Sequence, residues 1–211
     1  ENGQKDYEVN YNNGKEDSKR STSWYENGQI KIEGIYKNGK QDSEIHYTYY
    51  ENGQIETETN YKDGKQHGKW IMRLDNGNKI AEHNYKNGEV NGKWIKWLDN
   101  GQKVEEGNYI DFKLEGKLTT WFENGMKDAE ENYKNGLLHG KWTRWWYKSN
   151  QKRAEVNYKN GKKEGVWNSW HKNGQKMSLY TYKGNKLDGI IIDFSEDGQK
   201  QSEKYYKNGE C

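Results

Sequence analysis

The stretch GKWIMRLDNGNKIAEHNYKNGEVNGKW, Gly68–Trp94, decides the fold, because near-copies of it recur every 24 or 25 residues along the chain. A column of tyrosines marks the period: Tyr11, Tyr36, Tyr61, Tyr85, Tyr109, Tyr133, Tyr158, Tyr182 and Tyr206. A repeat this regular predicts supersecondary units that are stable only when they stack on their neighbours. We therefore interpret residues 1–211 as a single repeat array of about eight and a half repeats, and not as two globular domains.

The composition indicates a folded chain with a thin core. Apolar residues make up only 29% of the sequence and charged residues 32%, but 10 Trp and 17 Tyr are present, and disordered chains are poor in aromatic residues. Lys and Arg number 35 against 33 Asp and Glu, so the chain has no basic excess of the kind that binds nucleic acid or an anionic membrane surface. The composition therefore disfavours both partners. No apolar run approaches the ~18 residues of a membrane span.

The termini leave the localisation of the protein undetermined. The single cysteine, Cys211, allows no disulfide framework within the chain and does not indicate a redox compartment. The sequence begins at Glu1 without methionine and inside a repeat, so a preceding signal peptide or domain is left open.

Each repeat contains two turn motifs, which predict two hairpins. The first has an Asn-Gly motif with its glycine at Gly3, Gly28, Gly53, Gly77, Gly101, Gly125, Gly174 and Gly198, and Asn150 replaces the glycine once. The second, about eleven residues later, is Asn87-Gly88 and its equivalents, altered to Asp111-Phe112 and to Gly184-Asn185. Proline is absent, as suits strands that all donate hydrogen bonds to neighbours. We predict an all-β fold, an elongated single-layer antiparallel β-meander of about seventeen strands and roughly 80 Å.

The second turn predicts a register for its hairpin. If Asn87-Gly88 is a two-residue turn, Glu82 faces Lys93 and Ala81 faces Trp94. The same count pairs Glu8 with Lys19, Glu58 with Lys69, Glu106 with Lys117, Glu130 with Lys141, Glu33 with Glu44, Glu155 with Val166 and Leu179 with Ile190. Pairs of opposite charge, and the joint change to Leu179 and Ile190, favour this register. The alternative is that a glycine column shortens the strands and lengthens the second loop: Gly68, Gly92, Gly116, Gly140, Gly165 and Gly189.

Strand alternation predicts two different faces. One face carries the tyrosine column, small residues, and Trp70, Trp94, Leu118, Trp142, Trp167 and Ile191. The other face carries an aromatic ladder, each member four residues before the first-turn position: Trp24, Tyr49, Trp97, Trp121, Trp146, Trp170 and Phe194. Three copies contain 25 residues, and we assign their extra residue to a β-bulge between the two aromatic columns.

The unit formed by YKNGK, GKW and NG at these spacings resembles the MORN repeat in its bacterial variant, over essentially the whole chain. The resemblance implies hairpins that add side by side into a twisted, single-layer sheet. It also implies non-catalytic roles as a scaffold or binding module, sometimes with membranes, and in bacteria an antitoxin-like role. The chain departs from the family pattern at Ser18 and Ser43, where a loop glycine is missing, and at Arg20, so we expect specialised N-terminal repeats.

The sequence predicts no catalytic, cofactor or metal site. His67 and His139 occupy equivalent loop positions three repeats apart, too far to share a zinc ion. Successive members of the glutamate column lie two strands apart, roughly 10 Å, which suits neither class of glycosidase, and the facing lysines favour surface ion pairs. No nucleophile with a matching base is apparent.

We therefore expect a protein partner, bound through the aromatic ladder. The alternative is a cell-surface carbohydrate-binding aromatic repeat module, because aromatic rings on a ladder can stack on sugars. Oligomers could form through edge strands or through the aromatic face. If the ladder is the binding face, replacing Trp121 and Trp146 together by Ala weakens partner binding by at least a few kcal/mol while the fold survives.

Overall fold

The computed structural model describes residues 7–12, 15–37 and 40–211, and within these ranges the chain forms antiparallel strands and no helix. Contacts between Cα atoms divide the chain into two units, Glu1–Gly101 and Gln102–Cys211. In both units the strands follow one another as hairpins in a single layer, which confirms the predicted all-β antiparallel meander. The first-turn motif at Gly3 and the second-turn motifs Asn13-Gly14 and Asn38-Gly39 lie outside the described residues.

The first unit contains nine strands. They are β1 (Tyr7–Asn12), β2 (Lys15–Trp24), β3 (Ile30–Lys37), β4 (Lys40–Tyr49), β5 (Ile55–Lys62), β6 (Lys65–Arg73), β7 (Lys79–Lys86), β8 (Glu89–Val90) and β9 (Gly92–Trp97).

The second unit contains eleven strands. They are β10 (Lys103–Ile110), β11 (Lys113–Leu114), β12 (Gly116–Trp121), β13 (Lys127–Lys134), β14 (Leu137–Leu138), β15 (Gly140–Trp145), β16 (Lys152–Lys159), β17 (Lys162–Trp170), β18 (Lys176–Lys183), β19 (Lys186–Phe194) and β20 (Lys200–Tyr206). The count exceeds the predicted seventeen because three strands break immediately before Gly92, Gly116 and Gly140, where Asn91, Glu115 and His139 separate β8 from β9, β11 from β12 and β14 from β15.

The second turn has the predicted two-residue form. Lys86 pairs with Glu89 across Asn87-Gly88, and both turn residues have positive φ, 55° and 91°. These are the angles of a type I′ turn, which matches the twist of the flanking strands. Phe112 adopts the same conformation with φ 62°, although it is not glycine, so its turn carries backbone strain.

The first turn is longer than the two-residue second turn. Arg73 pairs with Lys79 across five loop residues, and Gly77 N–H donates to the Leu74 carbonyl at 2.9 Å. Only the glycine has positive φ, while the Asn76 side chain accepts a hydrogen bond from the backbone N–H of Asn78 at 2.9 Å. The Asn-Gly motif therefore forms the last two residues of a β-turn within this longer loop, and the asparagine side chain stabilises the loop through its hydrogen bond to the backbone.

The predicted facing pairs are wrong, because two additional residues bulge from the second strand of the hairpin. Glu82 faces Ile95 instead of Lys93, and Ala81 faces Lys96 instead of Trp94. The other acidic positions shift likewise: Glu58 faces Ile71, Glu106 faces Thr119, Glu130 faces Thr143, Glu155 faces Asn168 and Leu179 faces Ile192. The alternative interpretation, in which the glycine column shortens the strands and lengthens the second loop, is closer to the structure, because the bulge lies at that column.

Asparagine side chains hold the bulge in place. Asn84 accepts a backbone hydrogen bond from Asn91 at 2.8 Å, and its side-chain Nδ2 donates to the Lys93 carbonyl at 2.6 Å. Gly92 lies between them with φ 105°, a conformation that glycine adopts without steric cost. The same side-chain bond joins Asn60 to Lys69 and Asn132 to Lys141.

Hairpins that lack the glycine make a smaller bulge. In β3–β4 the register shifts by one residue between Ile35 and Tyr36, so that Glu33 faces Ile45 instead of Glu44. Ser43 stands at the glycine position, where a left-handed backbone would be strained. In β1–β2, where Ser18 replaces the glycine, the shift is also one residue, and Glu8 faces Arg20 instead of Lys19.

The core is a thin stripe within each unit. Its buried members are small or β-branched, apart from a few larger side chains: Thr59, Ile71 and Trp94 in the first unit, and Leu118, Thr119, Ala129, Thr143, Ala154, Val156, Ser169, Ser178 and Ile191 in the second. Most aromatic residues are therefore only half-buried, as a one-layer sheet requires.

Candidate protein-binding face

The predicted ladder residues occupy one equivalent position, the last residue of a strand. In the first unit they are Trp24 of β2, Tyr49 of β4 and Trp97 of β9, and in the second unit Trp121 of β12, Trp170 of β17 and Phe194 of β19. All six are half-buried. Arg73 takes this position in β6, where one of its guanidinium nitrogens lies 3.8 Å from a Glu58 carboxylate oxygen.

Trp146 is the exception, and its predicted place on the ladder is wrong. Trp145 ends β15, whereas Trp146 begins the turn, where its backbone N–H donates to the Gln151 carbonyl at 3.0 Å. The extra residue of this 25-residue copy lies in the turn and not in a β-bulge, so counting back from Asn150 lands one residue too far along the chain. In the other two 25-residue copies the strands β2 and β4 have ten residues, against nine in β6.

Lysines cover the indole rings of the ladder in the second unit. The Lys103 ammonium lies 5.5 Å from the centroid of Trp121, Lys127 lies 5.7 Å from that of Trp145, and Lys152 lies 6.0 Å from that of Trp170. Each lysine precedes its tryptophan by 18 residues, which confirms that Trp145 is the ladder residue. Contacts of this kind are cation–π interactions.

Each of these lysines also forms an ion pair on the same surface. Glu130 lies between Lys117 at 2.7 Å and Lys127 at 2.6 Å, and Glu155 lies between Lys141 and Lys152 at 2.9 and 2.5 Å. Burial opposes ionisation of Glu130, but the hydrogen bonds and charges of both lysines outweigh it and lower the pKa of the carboxyl group. Within each unit, we call the surface formed by its ladder residues and its Lys-Glu-Lys triads the lysine face.

The first lysine of a triad bonds to a different glutamate from the one that the sequence predicted. Lys69 bonds to Glu82 across the first turn at 3.2 Å, whereas the sequence had paired it with Glu58. Lys79, three residues before Glu82, completes this triad at 3.1 Å. The two lysines per glutamate give the lysine face a positive balance, although the whole chain carries a net charge of only +2.

The opposite surface, which we call the tyrosine face, is built as a packed layer. Trp142 stacks on Trp167 with ring centroids 5.7 Å apart, and Trp142 Nε1 donates to Glu131 at 3.1 Å. Tyr180 donates to Asp193 at 2.7 Å, and this bond together with burial raises the pKa of Tyr180 to about 12. The predicted contents of this face are thus found together, and the polar atoms of Trp142 and Tyr180 are satisfied within it.

The edge next to the first turns holds a column of side chains that the sequence did not reveal. Tyr50 Oη donates to the Arg73 carbonyl at 2.7 Å, Trp146 Nε1 donates to the Trp170 carbonyl at 2.9 Å, and His171 Nε2 lies 3.1 Å from the Phe194 carbonyl. Each side chain ties one hairpin to the last strand residue of the next. The sequence does contain a sign of this column, because a tyrosine, tryptophan or histidine, whose ring carries a polar atom, immediately follows several ladder residues.

Within the described ranges, no group of three or more His, Cys, Asp or Glu side chains is placed to hold a metal ion. The same residues include no helix that is long and apolar enough to span a membrane.

Comparison with known proteins identifies the repeat. The family model described as MORN repeat variant matches eight segments: residues 20–38, 45–63, 66–87, 90–111, 114–135, 138–160, 163–183 and 187–208. No curated protein matches the chain. Among solved structures, the chain is similar to one in the Photorhabdus luminescens Tc holotoxin pore, with 8% sequence identity and a TM-score of 0.29 over 89% of this chain. It spans 12% of that protein's length, and the likeness carries no functional argument.

Proposed function

Because the chain belongs to the MORN repeat variant family, we propose that it is a non-catalytic repeat scaffold that binds a partner protein through its lysine face. An antitoxin-like role, implied by the resemblance to bacterial members, is the narrower form of this proposal, and the partner is then a toxin.

The observation that supports the proposal is the repeated Lys-over-Trp arrangement. In three successive hairpins of the second unit, a half-buried indole lies below an ammonium group that is itself paired with a carboxylate. Protein interfaces combine buried aromatic anchors with a polar rim of this composition. The lysines of each triad outnumber the glutamate, so the partner is expected to present carboxylates.

The carbohydrate alternative has less support. Stacking on a sugar requires an open ring face, whereas Lys103, Lys127 and Lys152 lie over the rings of the ladder. A long lysine side chain can move aside and leave its ring to an apolar group of a protein, while its charge binds an acidic neighbour.

Two matched double variants test the proposal. Trp121→Ala with Trp145→Ala removes two ladder anchors, and Phe122→Ala with Trp146→Ala removes the adjacent large aromatics from the same two hairpins at the turn edge. Each variant and the unaltered chain are immobilised, and the proteins captured from an extract of the source cells are quantified by mass spectrometry.

We expect one captured protein to fall at least tenfold with the Trp121 and Trp145 variant and to remain with the Phe122 and Trp146 variant. Circular dichroism must show that both variants remain folded. Equal recovery of every captured protein by the two variants would contradict the proposal, and recovery that is lost only with the second variant would place the interface at the turn edge.

A further inference from the structure

The last repeats of the second unit break the triad pattern of the lysine face. In two preceding repeats of this unit a glutamate lies between two lysines: Glu130 between Lys117 and Lys127, and Glu155 between Lys141 and Lys152. One repeat later the equivalents of these three residues are Leu179, Val166 and Lys176. The acidic residue and one of its cations have both become aliphatic, while the second cation is retained.

The substituted positions lie near other apolar residues on the same side of the sheet, since Val166 faces Thr181, two residues from Leu179 on the same strand. Leu179 faces Ile192 on the next strand, and Ile190 faces Tyr205 on the strand after that. Residues that face each other directly project to the same side of a sheet. We define the apolar patch as Val166, Leu179, Ile190, Ile192 and Tyr205.

Three members of the patch remain open to solvent, whereas Leu179 and Ile192 are half-buried. Val166 is 42% exposed, Ile190 43% and Tyr205 62%, although each lies within a strand and not in a loop. Single exposed apolar residues are normal, but neighbouring ones on successive strands are typical of an interaction surface. If the change to Val166 served only the internal packing of the sheet, this side chain would be covered.

Lys176 lacks the carboxylate partner that its equivalents have. Its ammonium donates to Asn168 Oδ1 at 2.9 Å, and no carboxylate of the described residues lies within ion-pair distance. The equivalents Lys127 and Lys152 each bond to a glutamate three residues on, whereas the third residue after Lys176 is Leu179. The patch is therefore bordered by a cation without a charged partner.

We propose that the apolar patch docks a segment of the partner protein in which aliphatic or aromatic side chains adjoin an acidic residue. The apolar side chains cover Val166, Ile190 and Tyr205, and the acidic residue replaces the missing glutamate beside Lys176. This inference rests on the proposed function of the lysine face and identifies the chemistry of its occupant.

The chain supplies its own control substitutions. Val166→Lys with Leu179→Glu restores the triad found in the preceding repeats, so it removes the patch with a combination that the fold already tolerates. Lys176→Gln removes the charge alone. Lys141→Val with Glu155→Leu introduces the apolar pair one repeat earlier, next to Lys152.

A library of random 12-residue peptides, displayed on phage and selected on the full chain, serves as the probe. We expect enriched peptides that combine Asp or Glu with Leu, Ile, Phe or Trp. Synthetic copies should bind the triad-restored variant at least tenfold more weakly and the Lys176→Gln variant about fivefold more weakly, with less dependence on salt. The variant that combines Lys141→Val with Glu155→Leu should gain affinity for the same peptides.

The inference is overturned if no acidic and apolar sequence is enriched, or if enriched peptides bind the triad-restored variant as well as the unaltered chain. It is also overturned if their binding is lost only with the Trp121 and Trp145 variant, but the lysine face then remains the binding surface. Retained peptide binding to the Trp121 and Trp145 variant, with loss in the triad-restored variant, supports the patch independently of the ladder.

Discussion

The two-residue bulge makes the stability of a hairpin depend on an asparagine and a glycine together. In β13–β15, Asn132 accepts a backbone bond from His139 at 2.8 Å and donates its side-chain N–H to the Lys141 carbonyl at 2.6 Å. Asn132→Ala removes only the side-chain bond, and because that bond is exposed to solvent we expect a loss of about 0.5–1 kcal/mol in the free energy of unfolding.

Gly140→Ala perturbs the same bulge through the backbone. Gly140 has φ 97°, and a Cβ at this position would lie 3.6 Å from the Asn132 Cβ, which is ordinary contact. The cost therefore comes from the left-handed conformation, about 1–2 kcal/mol. If alanine collapses the bulge, the Asn132 bond is already lost, so the double variant should cost less than the sum by about 0.5 kcal/mol.

Asn157 provides the matched control. It occupies the same column and is exposed, and its side chain makes no hydrogen bond among the described residues. Asn157→Ala should change stability by less than about 0.3 kcal/mol. Urea unfolding followed by far-ultraviolet circular dichroism measures all four variants. Equal effects of Asn132→Ala and Asn157→Ala, or strict additivity of the Asn132 and Gly140 changes, would refute the role assigned to the bulge.

Three further predictions concern single positions. Phe112→Gly relieves a left-handed residue that is 60% exposed and should raise the free energy of unfolding by about 1 kcal/mol; a decrease in urea midpoint would contradict this. Burial and the charge of Lys96 lower the pKa of His83, whose buried Nδ1 has no hydrogen-bond partner in the part of the chain that the structure describes. The contribution of His83 to stability is therefore present above pH 6.5 and is lost as the pH falls through the lower folded pKa. His83→Val should flatten that part of the pH–stability curve, and an unchanged curve would show that another group titrates. The lowered pKa of Glu130 acts at more acidic pH: its contribution is present above the ordinary value of 4.5 and is lost on further acidification, so Glu130→Gln should reduce the loss of stability measured between pH 5 and 3.

The repeat allowed the fold class, the second turn and the composition of both faces to be predicted from the sequence. These features depend on a period of constant length and on strand alternation, which preserves the side on which a residue lies. The family resemblance rested on the same columns and is confirmed.

The register failed because counting residues assumes an uninterrupted ladder of hydrogen bonds. The Asn84 side chain and the positive φ of Gly92 stabilise two additional residues that the count placed in regular pairs. The asparagine was visible immediately before the tyrosine in many repeats, as in Asn84-Tyr85, and would have indicated a side chain that replaces part of the ladder. In the hairpins that contain the glycine the register shifts by two residues, an even number, which keeps the side chains on their predicted face.

The ladder position of Trp146 failed for a different reason. Two tryptophans are adjacent, and only the geometry of the turn shows that Trp145 ends the strand. The lysines that cover the rings also escaped prediction, because contacts between Lys127 and Trp145 depend on the twist of the sheet and on side-chain conformation.

Acetylation of lysines in the complex shows directly whether the partner occupies the lysine face. With the partner captured through the unaltered chain, peptide mass spectrometry compares labelling of Lys117, Lys127 and Lys141 with that of Lys163, which lies over Trp167 on the tyrosine face. We expect several-fold protection of the first three lysines and unchanged labelling of Lys163. Protection of Lys163, with Lys117, Lys127 and Lys141 labelled as in the free chain, would contradict this expectation.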